Sequence, residues 1–146
     1  MNKKMKISFV CYLLVALVSI GFGLVYFLSS QIMPYHQQVI GMKWSEVAPR
    51  FQMMFLAFLN GSGISMFRLG LAMLFLLFFP FRKGEIWSRW AIPIIYLPGG
   101  IWVLYIARNL HTNTQASTPW QFAAILILIT IVGAILSIKK SNDLSQ

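Results

Sequence analysis

The sequence predicts an all-α integral membrane protein, a four-helix bundle with an extra short interfacial helix between the first and second spans. Hydrophobic residues make up 58% of the 146 residues, charged residues only 10%, and the mean hydropathy is +0.73. A soluble domain of this size cannot bury so much apolar surface, and what stayed exposed would cause aggregation. Apolar runs long enough to cross a hydrocarbon core of ~30 Å divide the chain, so we expect one transmembrane domain over residues 1–146.

The first predicted span covers residues 7–27, which carry no charge and follow a short basic segment. A cleaved signal peptide is the competing interpretation. Its apolar region would be shorter, however, and YFLSSQ lacks the small residue at the −3 position that cleavage after Ser29 or Ser30 requires. We therefore expect a retained helix.

Two interpretations compete for the polar interruption NGSG at residues 60–63. Before it, an outer amphipathic segment at 44–59 opens like a helix and then becomes apolar. Either this segment continues as one long helix with a weak point at the glycines, or it ends here and a separate span covers 62–81. Because glycine is a frequent site of helix bends and breaks, we expect a bend or break at Gly61–Gly63.

The third and fourth predicted spans cover residues 90–106 and 120–138. In the fourth, the preceding STPW is a typical helix opening in which proline takes the first helical position. The third contains several helix breakers, which we expect to interrupt it and to free backbone carbonyls. These breakers are Pro93, Pro98, Gly99 and Gly100.

The basic residues predict the orientation. With four spans both termini lie on one side, together with eight basic residues: Lys3, Lys4, Lys6, Arg82, Lys83, Arg89, Lys139 and Lys140. The other side has three: Lys43, Arg50 and Arg108. By the positive-inside rule both termini are cytoplasmic, in a bacterial-type cytoplasmic (inner) membrane. The net charge of +9 therefore reflects topology, and no basic helix or aromatic RNA-binding signature indicates a nucleic-acid partner.

Arg68 is the residue that a simple membrane span does not explain. Counted back from the end of the second predicted span, it lies ~16 Å from the inner edge, close to the midplane. Exposure to lipid there costs about 2.5–3.5 kcal/mol, so we expect the guanidinium to point into the bundle or outward along a water-filled crevice. A stripe of small or polar residues at helical spacing supports a helix-packing face here. The stripe consists of Ala57, Gly61, Ser65, Arg68 and Ala72.

The candidate ligand-binding residues are Arg68 and the groups that share its face or could satisfy it. They are Arg68, Ser65, Asn60, Tyr96 and Glu46. Glu46 is the one acid on the outer side, and it reaches Arg68 only if the segment 44–59 folds inward. Otherwise the guanidinium donates to neutral oxygens, or to a ligand such as a lipid phosphate or a quinone carbonyl. A structural and a binding role both stay open.

Catalytic and metal chemistry finds less support. His36, His111 and Glu46 could supply three zinc ligands, but no short ligand spacing such as HxxxH is present, and we expect solvated loop histidines and no metal. No nucleophile elbow, paired carboxylates or phosphate-binding glycine loop is present. A proton-coupled transporter normally needs an intramembrane acid, and none is found. The sequence identifies no cofactor.

Three features together resemble the small four-helix bacterial inner-membrane proteins of the DoxX-like type. They are the outer segment after the first helix, the glycine-interrupted second span that leads into PFRKGEIWSRW, and the STPW that opens the last span. Several DoxX-like proteins are linked to respiratory or quinone-associated complexes. The resemblance therefore implies a quinone or lipid ligand, without a residue-level role.

We expect a non-enzymatic multi-pass membrane protein that binds a lipid-like or quinone-like molecule, or a partner membrane subunit, around a buried Arg68. The alternative is an oligomeric transport or permeation protein in which the Arg68 stripe forms an anion-attracting lining. A metal-dependent intramembrane enzyme built on His36, Glu46 and His111 is the third class.

Overall fold

The computed structural model describes residues 2–138, and that part of the chain is helical, with no strand. Within it, the helices long and apolar enough to span a membrane are α1 (Lys3–Phe27), α3 (Pro49–Leu76), α4 (Ile86–Asn113) and α5 (Trp120–Ile138). The predicted four-helix membrane fold is therefore confirmed. Lys139, Lys140 and Asp143 lie outside the described residues.

The first and last spans differ from each other in how well their predicted bounds match. α1 begins at Lys3, four residues before the predicted start, because the Asn2 side chain caps it by accepting from the Met5 backbone N–H at 3.0 Å. α5 begins at Trp120, as predicted for the fourth span, and is helical through Ile138, the last described residue. A polar cap can thus carry a helix beyond the apolar run that predicts it.

α1 is the central helix of the bundle. It packs along α3 on one side and along α5 on the other, and α4 packs mainly against α5. Between membrane helices, association depends on close packing and interhelical hydrogen bonds, since lipid tails are as apolar as leucine. The Ser8 hydroxyl accordingly donates to the Gly133 carbonyl of α5 at 2.7 Å. The buried face of α1 consists of Met5, Ser8, Tyr12, Val15, Ala16, Ser19 and Gly23.

Glycines bring the backbones of α1 and α3 into contact. A Cβ atom on Gly63 would lie 2.8 Å from the Gly23 carbonyl oxygen and 2.9 Å from the Phe27 Cα. A Cβ atom on Gly70 would lie 2.7 Å from the carbonyl oxygen of Ala16. These distances leave no room for a side chain, so the helix pair requires glycine at both positions.

The predicted break at Gly61–Gly63 is wrong, because α3 continues through these residues. Gly63 is needed for the α1 contact, and neighbouring polar side chains donate to helix carbonyls instead of ending the helix. The Ser65 hydroxyl donates to the Gly61 carbonyl at 2.8 Å. The Asn60 amide nitrogen is assigned to the side that faces two carbonyl oxygens. In this orientation it donates to the carbonyls of Tyr26 at 3.1 Å and Leu56 at 3.3 Å. The predicted segments 44–59 and 62–81 therefore share one helix.

The extra short helix lies earlier in the chain than predicted. It is α2, Pro34–Ile40, which ends at Gly41 with a φ of +69°. A 3₁₀ turn, Trp44–Glu46, then leads to the start of α3, where Pro49 takes the first helical position. The glycine after α2 allows the left-handed conformation that commonly ends a helix.

The prolines do not interrupt the third span, contrary to prediction. Pro93 and Pro98 both lie inside α4, which is 28 residues long. Membrane helices tolerate proline where neighbouring groups or local helical adjustments satisfy the freed backbone. Pro80 shows such an adjustment, because it lies in a π-helical turn, Leu77–Phe81, that extends α3 before the chain reverses at Gly84.

α3 and α4 make little contact with each other compared with the other neighbouring pairs of long helices. Their members of the buried core all lie in the half of the bundle next to the turn that joins them. In the half of the bundle near α2, no core residue fills the gap between α3 and α4. This gap is a cavity that α1 also lines. The core consists of Met5, Tyr12, Val15, Ala16, Met73, Leu77, Phe81, Ile92 and Tyr96.

Candidate functional site

A cleft occupies the space between α3 and α4 in the α2 half of the bundle. Its outer part has a volume of about 590 Å³ and its deeper part about 200 Å³. The two parts are continuous, since they share lining residues from all four long helices. The shared residues are Phe22, Ser65, Met66, Val103, Ala123 and Leu126.

The cleft opens sideways at the surface of the bundle. Phe58, Val103 and Phe122 line its outer part and are 68%, 49% and 46% exposed. Large apolar side chains on the outer face of membrane-spanning helices contact acyl chains. The cleft therefore opens on the apolar outer surface of the bundle.

Tyr96 places a polar group at the deep end of the cleft. Its side chain is only 6% exposed and lines the deeper part. Among residues 2–138, no group accepts a hydrogen bond from its hydroxyl or donates one to it. Without a partner in the described part of the chain, this hydroxyl is available to a ligand in the cleft.

Gly100 makes room for the Tyr96 ring. A Cβ atom on Gly100 would lie 3.2 Å from Cε1 of Tyr96 and 3.4 Å from Cγ1 of Ile127 on α5. The same atom on Gly99 would meet nothing within 4 Å. The glycine that was expected to break α4 instead positions the tyrosine against α5.

The structure brings together two of the predicted ligand-binding residues. Ser65 and Tyr96 both line the deeper part of the cleft. Asn60 lies at the α1 contact, where it is already bonded to backbone carbonyls. Sequence reasoning missed the contribution of α1, which supplies Ser19 and Phe22.

Arg68 does not point into the bundle, so the first of its two expected directions, and with it the buried arginine, is wrong. Its side chain is exposed, and within residues 2–138 it makes no hydrogen bond or ion pair. Glu46 does not reach it, because the Glu46 carboxylate accepts from the Lys43 backbone N–H at 3.0 Å. The predicted stripe is exposed as well, and its Ala57, Gly61 and Ser65 line the cleft. The face of α3 that is buried instead contains Leu59, Gly63, Gly70 and Met73.

Arg68 lies closer to the α2 end of the bundle than predicted. Its neighbour Leu69 lines the cleft with Ala123 and Leu126 of α5, which lie ~5–9 Å along that helix from Trp120. Side chains lean toward the N-terminus of their helix, and for α3 that is the same end. The guanidinium can therefore extend toward the membrane interface over the small residues above it, which lowers the cost of its exposure.

α2 covers the end of the cleft. A cavity of about 300 Å³ beneath it shares Tyr26, Phe58 and Ser62 with the cleft. The hydroxyls of Tyr26 and Tyr35 bond to each other and tie α2 to α1. The His36 ring packs against the Tyr35 ring with centroids 4.3 Å apart.

Acidification is expected to loosen α2. Burial lowers the pKa of His36 below its ordinary value, so the folded protein favours the neutral ring. The stabilisation is complete above the ordinary histidine pKa of ~6.5 and is lost as the pH falls through the lowered pKa. Thermal unfolding midpoints measured at about pH 8 and about pH 5 should fall more for the wild type than for His36→Gln. Equal falls in the two proteins would contradict this role of His36.

The three residues considered as possible zinc ligands, His36, His111 and Glu46, are not brought together. Within residues 2–138 no three His, Cys, Asp or Glu side chains are grouped closely enough to hold a metal ion. His111 donates from Nδ1 to the Ala116 carbonyl at 3.0 Å, which holds the loop before α5. The His36 ring packs on Tyr35, and the Glu46 carboxylate accepts a hydrogen bond within the Trp44–Glu46 turn, from the Lys43 backbone N–H.

Comparison with protein-family models, curated proteins and solved structures found no match for this chain. Its function is therefore inferred from the geometry of the cleft.

Proposed function

We propose that the protein is a non-enzymatic multi-pass membrane protein that binds a lipid-like or quinone-like molecule in the cleft between α3 and α4. The observation that carries this proposal is Tyr96, whose side chain is only 6% exposed, lines the deeper part of the cleft and has a hydroxyl without a hydrogen-bond partner among the described residues. Sites for small molecules are typically concave and mostly apolar, with a few placed polar groups. The cleft has this character.

The lining favours a ligand with an apolar body and a hydrogen-bond acceptor. The hydroxyls of Ser19 and Ser65 donate to carbonyls of their own helices, each at 2.8 Å. Tyr96 is thus the donor left for a ligand in the deep part. No charged side chain lines either part of the cleft, so an ionised group would be buried without compensation. A neutral carbonyl or ester oxygen suits the site better.

The proposal also covers the orientation of the protein in its membrane and its relationship to a known family. The distribution of basic residues supports a bacterial-type inner membrane with both termini on the cytoplasmic side. A relationship to DoxX-like proteins is supported by the arrangement of four spans with a short helix after the first. Arg68 then lies near the outer interface, beside the cleft instead of inside it.

Mass spectrometry of small molecules that co-purify in mild detergent tests the proposal. We expect a lipid or quinone bound to the wild type and absent from Ser65→Phe, since the larger side chain fills the cleft. Tyr96→Phe removes one hydrogen bond, worth about 0.5–1.5 kcal/mol, and should weaken retention roughly 2- to 10-fold. Ile64→Phe is the matched control, because its neighbouring position is exposed and does not line the cleft.

Other outcomes of this experiment have definite meanings. Equal retention by wild type and Ser65→Phe would contradict binding in the cleft. A stoichiometric protein in place of a small molecule would replace the ligand by a partner membrane subunit, whose helix would pack on the exposed small residues Ala57, Gly61 and Ser65.

A further inference from the structure

A groove on the surface of α4 and α5 is separate from the cleft. It has a volume of about 580 Å³ and shares no lining residue with either part of the cleft. Its lining changes character along its length. The end of the groove near the C-terminus of α4 is polar and is lined by Arg108, Asn109, Thr112 and Asn113. The other end, closer to the middle of the helices, is apolar and is lined by Ile101, Leu104 and Ala124.

The Arg108 side chain is held in position by Trp120. Its guanidinium carbon lies 4.3 Å from the centroid of the Trp120 ring. Stacking of this kind uses the face of the guanidinium and leaves its N–H groups, which lie in its plane, able to donate. The two carboxylates of residues 2–138 bind other groups. Glu46 accepts from the Lys43 backbone N–H, and Glu85 accepts from the Trp87 indole N–H. The fixed cation therefore has donors free for an external anion.

The groove runs from the level of the lipid headgroups into the acyl-chain layer. Trp120 is the first residue of α5, and Arg108 lies six residues before Thr114, the residue that caps the end of α4. Tryptophan is enriched at the membrane–water interface. Basic side chains at this level meet lipid phosphates. The polar end of the groove thus lies at the depth of the lipid phosphates, and its apolar end lies at the depth of the acyl chains.

We propose that this groove binds one phospholipid, with its phosphate on the Arg108 guanidinium and an acyl chain along Ile101, Leu104 and Ala124. The neighbouring polar side chains are already bonded within α4. Asn113 donates to the Asn109 carbonyl at 2.9 Å, and Thr112 donates to the Arg108 carbonyl at 2.9 Å. The Trp120 Nε1–H is a neutral donor without a partner, but Arg108 is the cation of the groove, so phosphate binding depends mainly on Arg108. A lipid with net negative charge binds more tightly than a zwitterionic one, because it brings no cation of its own near the guanidinium.

Native mass spectrometry of the full chain in detergent tests this site with three added lipids of equal chain length. We expect phosphatidylglycerol to bind more tightly than phosphatidylcholine, and both more tightly than diacylglycerol, which lacks the phosphate. Arg108→Gln should weaken phosphatidylglycerol binding about tenfold or more, as expected for the loss of a charge-assisted hydrogen bond. Arg50→Gln is the matched control, an exposed arginine at the same end of the bundle and outside the groove, and its binding should equal that of the wild type.

Two further measurements make the test decisive. Arg108→Lys keeps the charge but loses the planar guanidinium, so its phosphatidylglycerol binding should lie between wild type and Arg108→Gln. Inorganic phosphate at the same concentration should not displace the lipid. Equal phosphatidylglycerol binding by wild type and Arg108→Gln, equal binding of phosphatidylglycerol and diacylglycerol, or displacement by free phosphate would each overturn the proposal. The comparison of wild type with Arg108→Gln does not depend on the ligand of the cleft, because Arg108 lines neither part of it.

Discussion

Replacing Gly63 with alanine is expected to destabilise the protein by about 3 kcal/mol, at the upper end of the cost of overpacking. The new methyl group would lie 2.8 Å from the Gly23 carbonyl oxygen and 2.9 Å from the Phe27 Cα. These are backbone atoms of α1, which cannot move aside as a flexible side chain can. The two helices must therefore separate along their most extensive contact. The measurement is the thermal unfolding midpoint of the purified protein in detergent.

Gly61→Ala is the matched control, two residues away in the same helix. A Cβ atom on Gly61 meets nothing within 4 Å, so stability should stay unchanged or rise by up to about 1 kcal/mol from helix propensity. Gly23→Ala and Gly21→Ala repeat the comparison on α1, with the first crowded and the second free. Similar midpoints for Gly63→Ala and Gly61→Ala would show that the close helix contact is absent.

Arg68→Leu is expected to improve membrane insertion of the α3 segment, by less than the about 2.5–3.5 kcal/mol of an arginine at the helix centre, while leaving the thermal midpoint of the folded protein unchanged. The arginine faces outward and has no partner among residues 2–138, so its removal breaks no contact. The substitution removes the cost of transferring the cation from water to lipid during insertion. The folded and unfolded wild-type chains in the membrane both carry that cost, so it does not change the thermal midpoint. An insertion assay and a thermal melt together measure the two quantities.

Arg50→Leu is the control for the insertion assay. Arg50 lies in the first turn of α3, next to the helix start, where a charge is already near water, and the change should have a smaller effect. A fall in the thermal midpoint of Arg68→Leu would contradict the exposed position. Loss of a buried, paired arginine would cost about 3–5 kcal/mol.

The spans were predictable because their signal is carried by composition and run length. α5 shows this best, since its apolar run is uninterrupted and its predicted start agrees with the structure. The interruptions in the other spans were harder. Gly61 and Gly63 have the same helix propensity, and only the position of α1 distinguishes the free residue from the packed one. Propensity describes a single helix, whereas tertiary packing decides whether a glycine ends it.

The candidate site was predicted in part, for a reason that did not hold. Ser65 and Tyr96 line the cleft, but they were selected as partners of a buried Arg68. α3 has two faces of small residues, and either one can pack on a neighbouring helix. A signal for the correct face was present in α1, where Ala16 and Gly23 are spaced seven residues apart, as are Gly63 and Gly70. The matching spacing of small residues on two helices identifies a contact that a polar stripe on one helix does not.

The sideways opening between α3 and α4 determines which concentration controls the proposed site. A molecule that arrives through the bilayer is sensed as a mole fraction among lipids, so its solubility in water does not limit saturation. Adding empty membrane would drain the site at constant total ligand, and enriching the surrounding leaflet would fill it. Occupancy of the protein would then follow the composition of the membrane around it.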